Sequence, residues 1–130
     1  MEFIVDSAVL IRHNSGLRIA GHAKRVLREA DRGDHIVFIP IIVAMEIMYL
    51  AEKHRINYSL KDLQALLKST KNYQIVDLDL EILIIAEGLA NYDLELHDRL
   101  IVATAVNAHL PLLTSDKNLR RLDLVKTIWA

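Results

Sequence analysis

The sequence predicts an α/β sandwich built on a mainly parallel central sheet of four to five strands. Two observations support this fold class. Short β-branched or apolar runs alternate along the whole chain with segments whose apolar residues recur at helical spacing. Glycine, proline and capping residues separate these segments, so that each has a defined beginning and end. This alternation favours parallel strands, because crossover helices join strands of that kind.

The first half of the chain contains two predicted strands and three predicted helices. Asp6 and Ser7 form a capping pair directly after the first strand, and Gly33 ends the second helix. Pro40 is expected to open the third helix, because proline suits the first helical turn. In chain order the elements are a strand over 3–5, helices over 8–12 and 22–32, a strand over 36–39 and a helix from 40 to about 55.

The second half continues the alternation. Leu63, Leu66 and Leu67 lie on one side of its first helix, whereas the next helix is apolar on most faces. No linker-like segment interrupts the series, so a single domain over 1–130 is the economical interpretation. The expected elements are a helix over 60–68, a strand over 74–76, helices over 80–90 and 98–109, a strand over 111–114, a short helix over 115–122 and a last strand over 125–128.

Composition excludes several classes of protein and site. Hydrophobic residues make up 52% of the 130 residues and charged residues 25%, which is enough apolar material for a packed core. The absence of cysteine rules out disulfides, thiolate zinc sites and cysteine nucleophiles. No apolar run reaches the roughly 18 residues that cross a bilayer, and the first residues lack the features of a signal peptide. We therefore expect no membrane association and a cytoplasmic location.

The overall charge is not that of a typical nucleic-acid-binding protein. The net charge is −1 and the sequence pI is near 6.6. Any contact with nucleic acid must therefore use a local patch, although a solvated helix face explains a basic cluster equally well. Two such clusters are present, namely Arg12, Arg18, His22, Lys24, Arg25, Arg28 and Arg32 in the first quarter and Lys117, Arg120, Arg121 and Lys126 near the end.

Four carboxylates are predicted to meet at one edge of the sheet. Asp6 follows the first strand and Asp116 the fourth, and functional groups in open α/β sheets gather beyond the carboxyl ends of the strands. Glu46 lies about two turns into the helix after the second strand, and Asp98 opens the helix that leads into the fourth. Taken singly, Asp6, Asp98 and Asp116 are also explained as helix caps.

Glu46 is the residue that capping does not explain. It lies within the apolar run 41–51, where burial of an unpaired carboxylate is costly, unless it occupies an exposed position on that helix. Two carboxylates about 5 Å apart repel by roughly 3 kcal/mol at an effective dielectric near 20, so a cluster of four needs a cation. An all-oxygen site suits Mg²⁺, with Mn²⁺ as the alternative, and magnesium's preference for phosphate oxygens points to phosphate chemistry.

Four segments of the chain, taken in order, resemble the PIN domain family, and most of all the VapC toxins of toxin–antitoxin pairs. They are an apolar strand ending in Asp-Ser at 3–7, a turn and helix carrying Glu at 40–46, an Asp-led helix with an Ala-Thr-Ala run at 97–105, and a Thr-x-Asp segment at 113–119. The third segment is the most specific, and the resemblance covers essentially the whole chain. It implies a PIN-like α/β/α sandwich.

The resemblance also implies an activity. PIN domains are metal-dependent ribonucleases that hydrolyse RNA in line and leave a 3′-hydroxyl and a 5′-phosphate. Asp6 and Asp98 are the expected direct ligands of one or two Mg²⁺ or Mn²⁺ ions. Glu46 and Asp116 are expected to orient water or to complete a second metal site.

Other polar residues near these positions have two interpretations each. Ser7, Thr114 and Asn118 are candidates to support the carboxylates, and they are explained equally well as caps and turn formers. His97 invites a role as a base, but we expect it to face water or to bond to the backbone.

The resemblance further implies partners. In the VapC family an antitoxin chain lies over the toxin and blocks its site, and we expect such a partner here. The helices around 41–50 and 80–90 are apolar on more than one face, which predicts a homodimer interface in addition to core packing. Transfer, ribosomal and messenger RNA are all substrates within the family, and the pocket residues are compatible with each.

Other protein classes fit the residues less well. A haloacid-dehalogenase-type phosphatase needs a second Asp two residues after the first, where this chain has Ala8. A receiver domain would use Asp77 and Lys117 but would leave Glu46 and Asp98 unexplained. The main alternative is a non-catalytic PIN-fold module that binds RNA or protein, and the intact set of four carboxylates argues against it.

Overall fold

The computed structural model describes residues 1–130 and contains one sheet of five strands with seven helices. The strands are β1 (Glu2–Val5), β2 (Ile36–Pro40), β3 (Tyr73–Val76), β4 (Leu112–Leu113) and β5 (Thr127–Ile128). The helices are α1 (Ser7–Asn14), α2 (Gly21–Asp31), α3 (Ile41–Glu52), α4 (Leu60–Ser69), α5 (Leu80–Glu87), α6 (Leu96–Ala108) and α7 (Lys117–Arg120). None of the helices has both the length and the apolar character that a membrane crossing requires.

The sheet is parallel throughout and has the strand order β3-β2-β1-β4-β5. The chain thus starts at the centre, proceeds outward through β2 to β3, and crosses back to β4 and β5. The order reverses between β1 and β4, and crevices form beyond the carboxyl ends of the strands at such a point. The predicted α/β sandwich with a mainly parallel sheet is confirmed, and the sheet has the upper of the two expected strand numbers.

The core explains why β1 lies at the centre of the sheet. Successive strand residues point to opposite faces, yet Phe3, Ile4 and Val5 are all buried, so helices cover both faces there. The middle of α6 supplies the largest buried helical run, from Leu100 to Ala105. This packing fixes the end of β1, and with it the residue that follows.

Several element boundaries differ from the predicted ones. Pro40 ends β2 and precedes α3, so it does not occupy the first helical turn. α3 ends at Glu52, about one turn earlier than expected, and His54 just beyond it has a left-handed backbone with a φ of 55°. α6 begins at Leu96, so Asp98 lies within the first turn and does not cap the helix.

Candidate metal centre

The four predicted carboxylates line one cleft of about 480 Å³ beyond the carboxyl ends of β1 and β4. Asp6 follows β1, Glu46 comes from α3, Asp98 from α6, and Asp116 precedes α7. Four elements that are far apart in sequence thus contribute one acidic side chain each. The cleft also contains residues from the segment that leads into α6.

Asp6 is the most deeply buried of the four, with 7% of its surface exposed. Its Oδ2 accepts a hydrogen bond of 2.7 Å from the Thr114 hydroxyl, and its Oδ1 accepts one of 2.7 Å from the backbone N–H of Ser7. Burial raises the pKa of Asp6, and the bonds from Thr114 and Ser7 act in the opposite direction. Thr114 follows β4, so this bond ties the ends of the two central strands together and fixes the orientation of the carboxylate.

Glu46 points into the cleft because of its position on α3. It follows the buried residues Ile42 and Val43 by four and three positions, so it lies near the buried face of the helix. Its Oε1 is buried and has no hydrogen-bond partner, while its Oε2 lies 3.7 Å from Nε2 of His97. Burial raises the pKa of Glu46; His97 lowers it, and the negative charge of Asp6 raises it further. An orphaned carboxylate oxygen of this kind is costly unless a proton or a cation accompanies it.

Asp98 lies in the first turn of α6, where the helix dipole favours a negative charge. Burial nevertheless dominates and raises the pKa of Asp98 to about 6. His97 acts to lower this pKa, whereas the charges of Asp6 and Asp116 act to raise it. The side chain is therefore a proton acceptor near neutral pH that a bound cation would keep ionised.

Asp116 caps α7, which is one of the two roles predicted for it. Its Oδ1 accepts bonds from the backbone N–H groups of Asn118 at 2.8 Å and Leu119 at 3.4 Å. Its own N–H donates to the Thr114 hydroxyl at 3.1 Å. Thr114 therefore contacts both Asp6 and Asp116, whereas Asn118 contacts the acidic group only through its backbone.

His97 was expected to face water or to bond to the backbone; 35% of its side chain is exposed, and the ring also faces three carboxylates. Its Nε2 lies 3.4 Å from Glu95 and 3.7 Å from both Glu46 and Asp98. Potential ligand atoms of Glu95, His97 and Asp98 lie within 4.8 Å of one another. Glu95 was missed by the sequence reasoning, although Glu-x-His-Asp before an apolar helix is a spacing that places all three side chains near one helix end.

The donor set fits a hard divalent cation. It consists of carboxylate oxygens, three of which are oriented by hydrogen bonds and one of which is buried without a partner. Mg²⁺ and Mn²⁺ prefer such oxygen ligands. The residues that could hold the ion are Asp6, Glu46, Asp98 and Asp116.

Comparisons with known proteins agree with this architecture. The family model of the PIN domain matches residues 3–125. A solved toxin–antitoxin complex from Klebsiella pneumoniae is 26% identical, with a TM-score of 0.68 and coverage of 94% of this chain and 93% of that one. No curated protein matches the sequence at a significant level.

Two more distant structures resemble the chain in fold. VapBC2 from Rickettsia felis, bound to a DNA fragment from its promoter, is 15% identical with a TM-score of 0.74, and each chain is covered completely. DNA-bound VapBC from Salmonella typhimurium is 19% identical with a TM-score of 0.66, with coverage of 98% and 97%. The family match spans nearly the whole sequence, and the resemblance to VapC-like proteins holds for the whole fold; the chain therefore belongs to the PIN domain family.

Proposed function

We propose that this protein is a metal-dependent endoribonuclease and the toxin of a VapBC-type toxin–antitoxin pair. The observation that carries the proposal is the acidic cleft, in which the Oε1 of Glu46 is buried without a partner among three further carboxylates. A buried carboxylate oxygen without a partner lowers stability, so a residue that served stability alone would rarely be found in this arrangement. A divalent cation would offset this cost and could at the same time bind a phosphate oxygen.

The surroundings of each acidic residue support a different proposed role. Asp6 and Asp98 are the proposed direct ligands, since Thr114 holds Asp6 in place and Asp98 lines the same cleft, close enough for the charge of Asp6 to raise its pKa. Glu46 and Asp116 would orient the attacking water or complete a second site, and His97 would position Glu46. When bound, Mg²⁺ or Mn²⁺ would make that water more acidic and neutralise the charge that builds on the phosphate.

The proposed partners follow from the similar structures and from the surface. The Klebsiella protein was solved as a toxin–antitoxin complex, which supports an antitoxin partner for this chain. We propose the cytoplasm as the place of action. Large apolar side chains are exposed on α3 and α5, which supports a homodimer. These exposed residues are Ile41, Met45, Met48 and Tyr49 on α3 and Leu80, Leu83 and Ile84 on α5.

Cleavage assays on a panel of single-stranded and structured RNAs with Mn²⁺ test the proposal. Wild type should cleave at least one RNA, and Asp98→Asn should reduce that rate by about a hundredfold or more, since a lost electrostatic contact of this kind costs several kcal/mol. Asp77→Asn, an exposed acid after the edge strand β3, is the matched control and should retain activity. Equal rates for wild type and Asp98→Asn would refute the assignment and favour a non-catalytic PIN module.

A further inference from the structure

A second cleft, of about 570 Å³, opens between α7, β5 and the start of α2. We call it the basic cleft and define it by Lys117, Arg120, Arg121, His22 and Trp129, which line it. The three cations are spaced i, i+3 and i+4, so they share one face of the short α7 turn. None of them lies within ion-pair distance of an acidic group.

The basic cleft combines parts of the two basic clusters in the sequence. His22 comes from the first cluster, and Lys117, Arg120 and Arg121 come from the second. Of the remaining first-cluster residues, Arg25 pairs with Glu29 and Arg32 with Asp34, whereas Arg18, Lys24 and Arg28 have no ion pair and line a separate cleft. Of these two groups of unpaired cations, the one on α7 shares a lining residue with a cavity next to the acidic cleft, in a chain whose net charge is −1.

A smaller cavity of about 190 Å³ shares lining residues with both the basic cleft and the acidic cleft. Asn118 lines both the acidic cleft and this cavity, and Arg121 lines both the cavity and the basic cleft. The exposed Tyr92 lies along the same path. These shared residues define a track from the four carboxylates, through a cavity lined by Tyr92 and the acidic Asp93, to the three cations and Trp129.

We propose that the basic cleft binds the phosphate backbone of a single-stranded RNA segment adjacent to the cleaved bond. This inference rests on the proposed function. Lys117, Arg120 and Arg121 would contact phosphates a few nucleotides from the scissile one, and Trp129 and Tyr92 would offer faces on which bases stack. Such a combination binds single strands with little preference for sequence.

Charge and continuity favour RNA over an acidic protein segment as the occupant. The acidic cleft repels a polyanion on its own, so a substrate strand needs compensating positive charge nearby, and α7 supplies it about 8 Å along its axis from Asp116 to Arg121. An acidic peptide would gain from the cations but would make no use of the aromatic faces. A free anion would use neither those faces nor the track that leads to the carboxylates.

The test uses Trp129 as a reporter, because it is the only tryptophan in the chain. Fluorescence titration with a short uridine-rich single-stranded RNA is carried out in the Asp98→Asn full-length protein, so that binding is measured without cleavage. We expect saturable quenching of Trp129, with affinity that falls as salt rises. The triple variant Lys117→Ala, Arg120→Ala and Arg121→Ala in the same background should bind at least about tenfold more weakly and lose about 2 from the log–log salt slope, at about 0.7 per phosphate contact.

The matched control removes three positive charges at the opposite edge of the sheet. Lys61, Lys68 and Lys71 are exposed, lie on or next to α4, and have no ion-pair partner. Their triple alanine variant should bind RNA like the Asp98→Asn parent. Equal affinities for the two triple variants would overturn the inference, as would equal quenching by poly-glutamate or by inorganic phosphate at matched charge.

The outcomes also separate this inference from the proposed function. If wild type and the α7 triple variant cleave RNA at the same rate, the proposed nuclease function stands and the basic cleft plays no part in it. Binding that depends on α7, in a protein that cleaves no RNA of the panel, would support the cleft and refute the nuclease.

Discussion

Each acidic side chain of the acidic cleft is held by a different set of contacts, and the proposed role of each residue follows from them. Asp6 accepts bonds from Thr114 and Ser7, whereas the Oε1 of Glu46 is buried with no partner. A partly buried carboxylate with one oxygen that has no partner destabilises the metal-free fold. Binding of a cation would relieve this cost, so metal affinity and folding stability should be linked at Glu46.

Glu46→Gln is expected to stabilise the metal-free protein and to weaken its binding of Mn²⁺. The amide keeps the shape of the side chain but removes the buried charge, so the free energy of unfolding in EDTA should rise by roughly 0.5–1 kcal/mol. Urea denaturation measures the first effect and calorimetric titration the second. Glu52→Gln, an exposed change on the same helix, should alter neither quantity. Unchanged Mn²⁺ affinity in Glu46→Gln would remove this residue from the site.

Asp98 should make the stability of the metal-free protein depend on pH. Burial raises its pKa in the folded state from the usual 3.8 to about 6, so the folded carboxyl holds its proton more tightly than the unfolded one. Its contribution to stability is therefore fully present below about pH 4 and is lost as the pH rises through about 6. The raised pKa values of Asp6 and Glu46 add to the same decline.

Urea denaturation in EDTA between about pH 4 and 7 measures this effect. Over this pH range, the free energy of unfolding of Asp98→Asn should fall by roughly 1–2 kcal/mol less than that of wild type, after allowance for solvent screening. Saturating Mn²⁺ should reverse the trend, because metal binding requires the ionised carboxylates. Parallel pH profiles for the two proteins in EDTA would show that Asp98 does not titrate in this range.

At the scale of elements, the short helix α7 contributes to the acidic cleft, to the core and to the basic cleft. Asp116 caps its first turn, Leu119 is buried beneath it, and its cations line the basic cleft. The cap and the proposed metal ligand are the same side chain, so the sequence alone could not separate the two interpretations of Asp116. The structure shows that both are compatible, since the cap uses Oδ1 and no hydrogen bond is made to Oδ2.

Two substitutions at Asp116 should separate its cap from its charge. Asp116→Asn keeps a good N-cap and should leave the free energy of unfolding in EDTA within about 0.5 kcal/mol, whereas Asp116→Ala should lose about 1 kcal/mol. Both should weaken Mn²⁺ binding, because both remove the carboxylate. If only Asp116→Ala weakened the binding, the cap and not the charge would be what the site needs.

The middle of each long element was predictable, and the ends were not. Hydrophobic spacing located all seven helices and all five strands, because the core faces of such elements must be apolar. The end of α3 was misjudged because residues 53–55 have no glycine or proline, and the turn is made by His54 in a left-handed conformation. The start of α6 was misjudged because Glu95 caps it without a side-chain hydrogen bond.

At the scale of the whole molecule, sequence order predicted the acidic cleft better than it predicted the basic one. Residues that follow parallel strands must gather at one edge, so Asp6 and Asp116 were expected to be neighbours. The contact between His22 and α7 depends on how α2 packs beside β5, which no local pattern encodes. The orientation of His97 likewise depends on tertiary contacts with α3.

The exposed apolar side chains on α3 and α5 predict self-association of the whole chain. Ile84→Glu on α5 should convert a dimer into a monomer without unfolding it, because the side chain is 59% exposed. Analytical ultracentrifugation measures the mass, and circular dichroism checks the fold. Leu17→Glu, an equally exposed apolar position outside both helices, should leave the dimer intact. A wild type that sediments as a monomer at high concentration would refute the homodimer.

Diffraction from crystals grown with Mn²⁺ tests the convergence of four carboxylates on one metal most directly. Anomalous scattering at the manganese edge should show a peak in the acidic cleft, about 2.1 Å from oxygens of Asp6 and Asp98, with Glu46 and Asp116 around it. The peak should disappear in an Asp6→Asn and Asp98→Asn double variant. A peak held only by Glu95 and His97, or no peak at saturating Mn²⁺, would contradict the account.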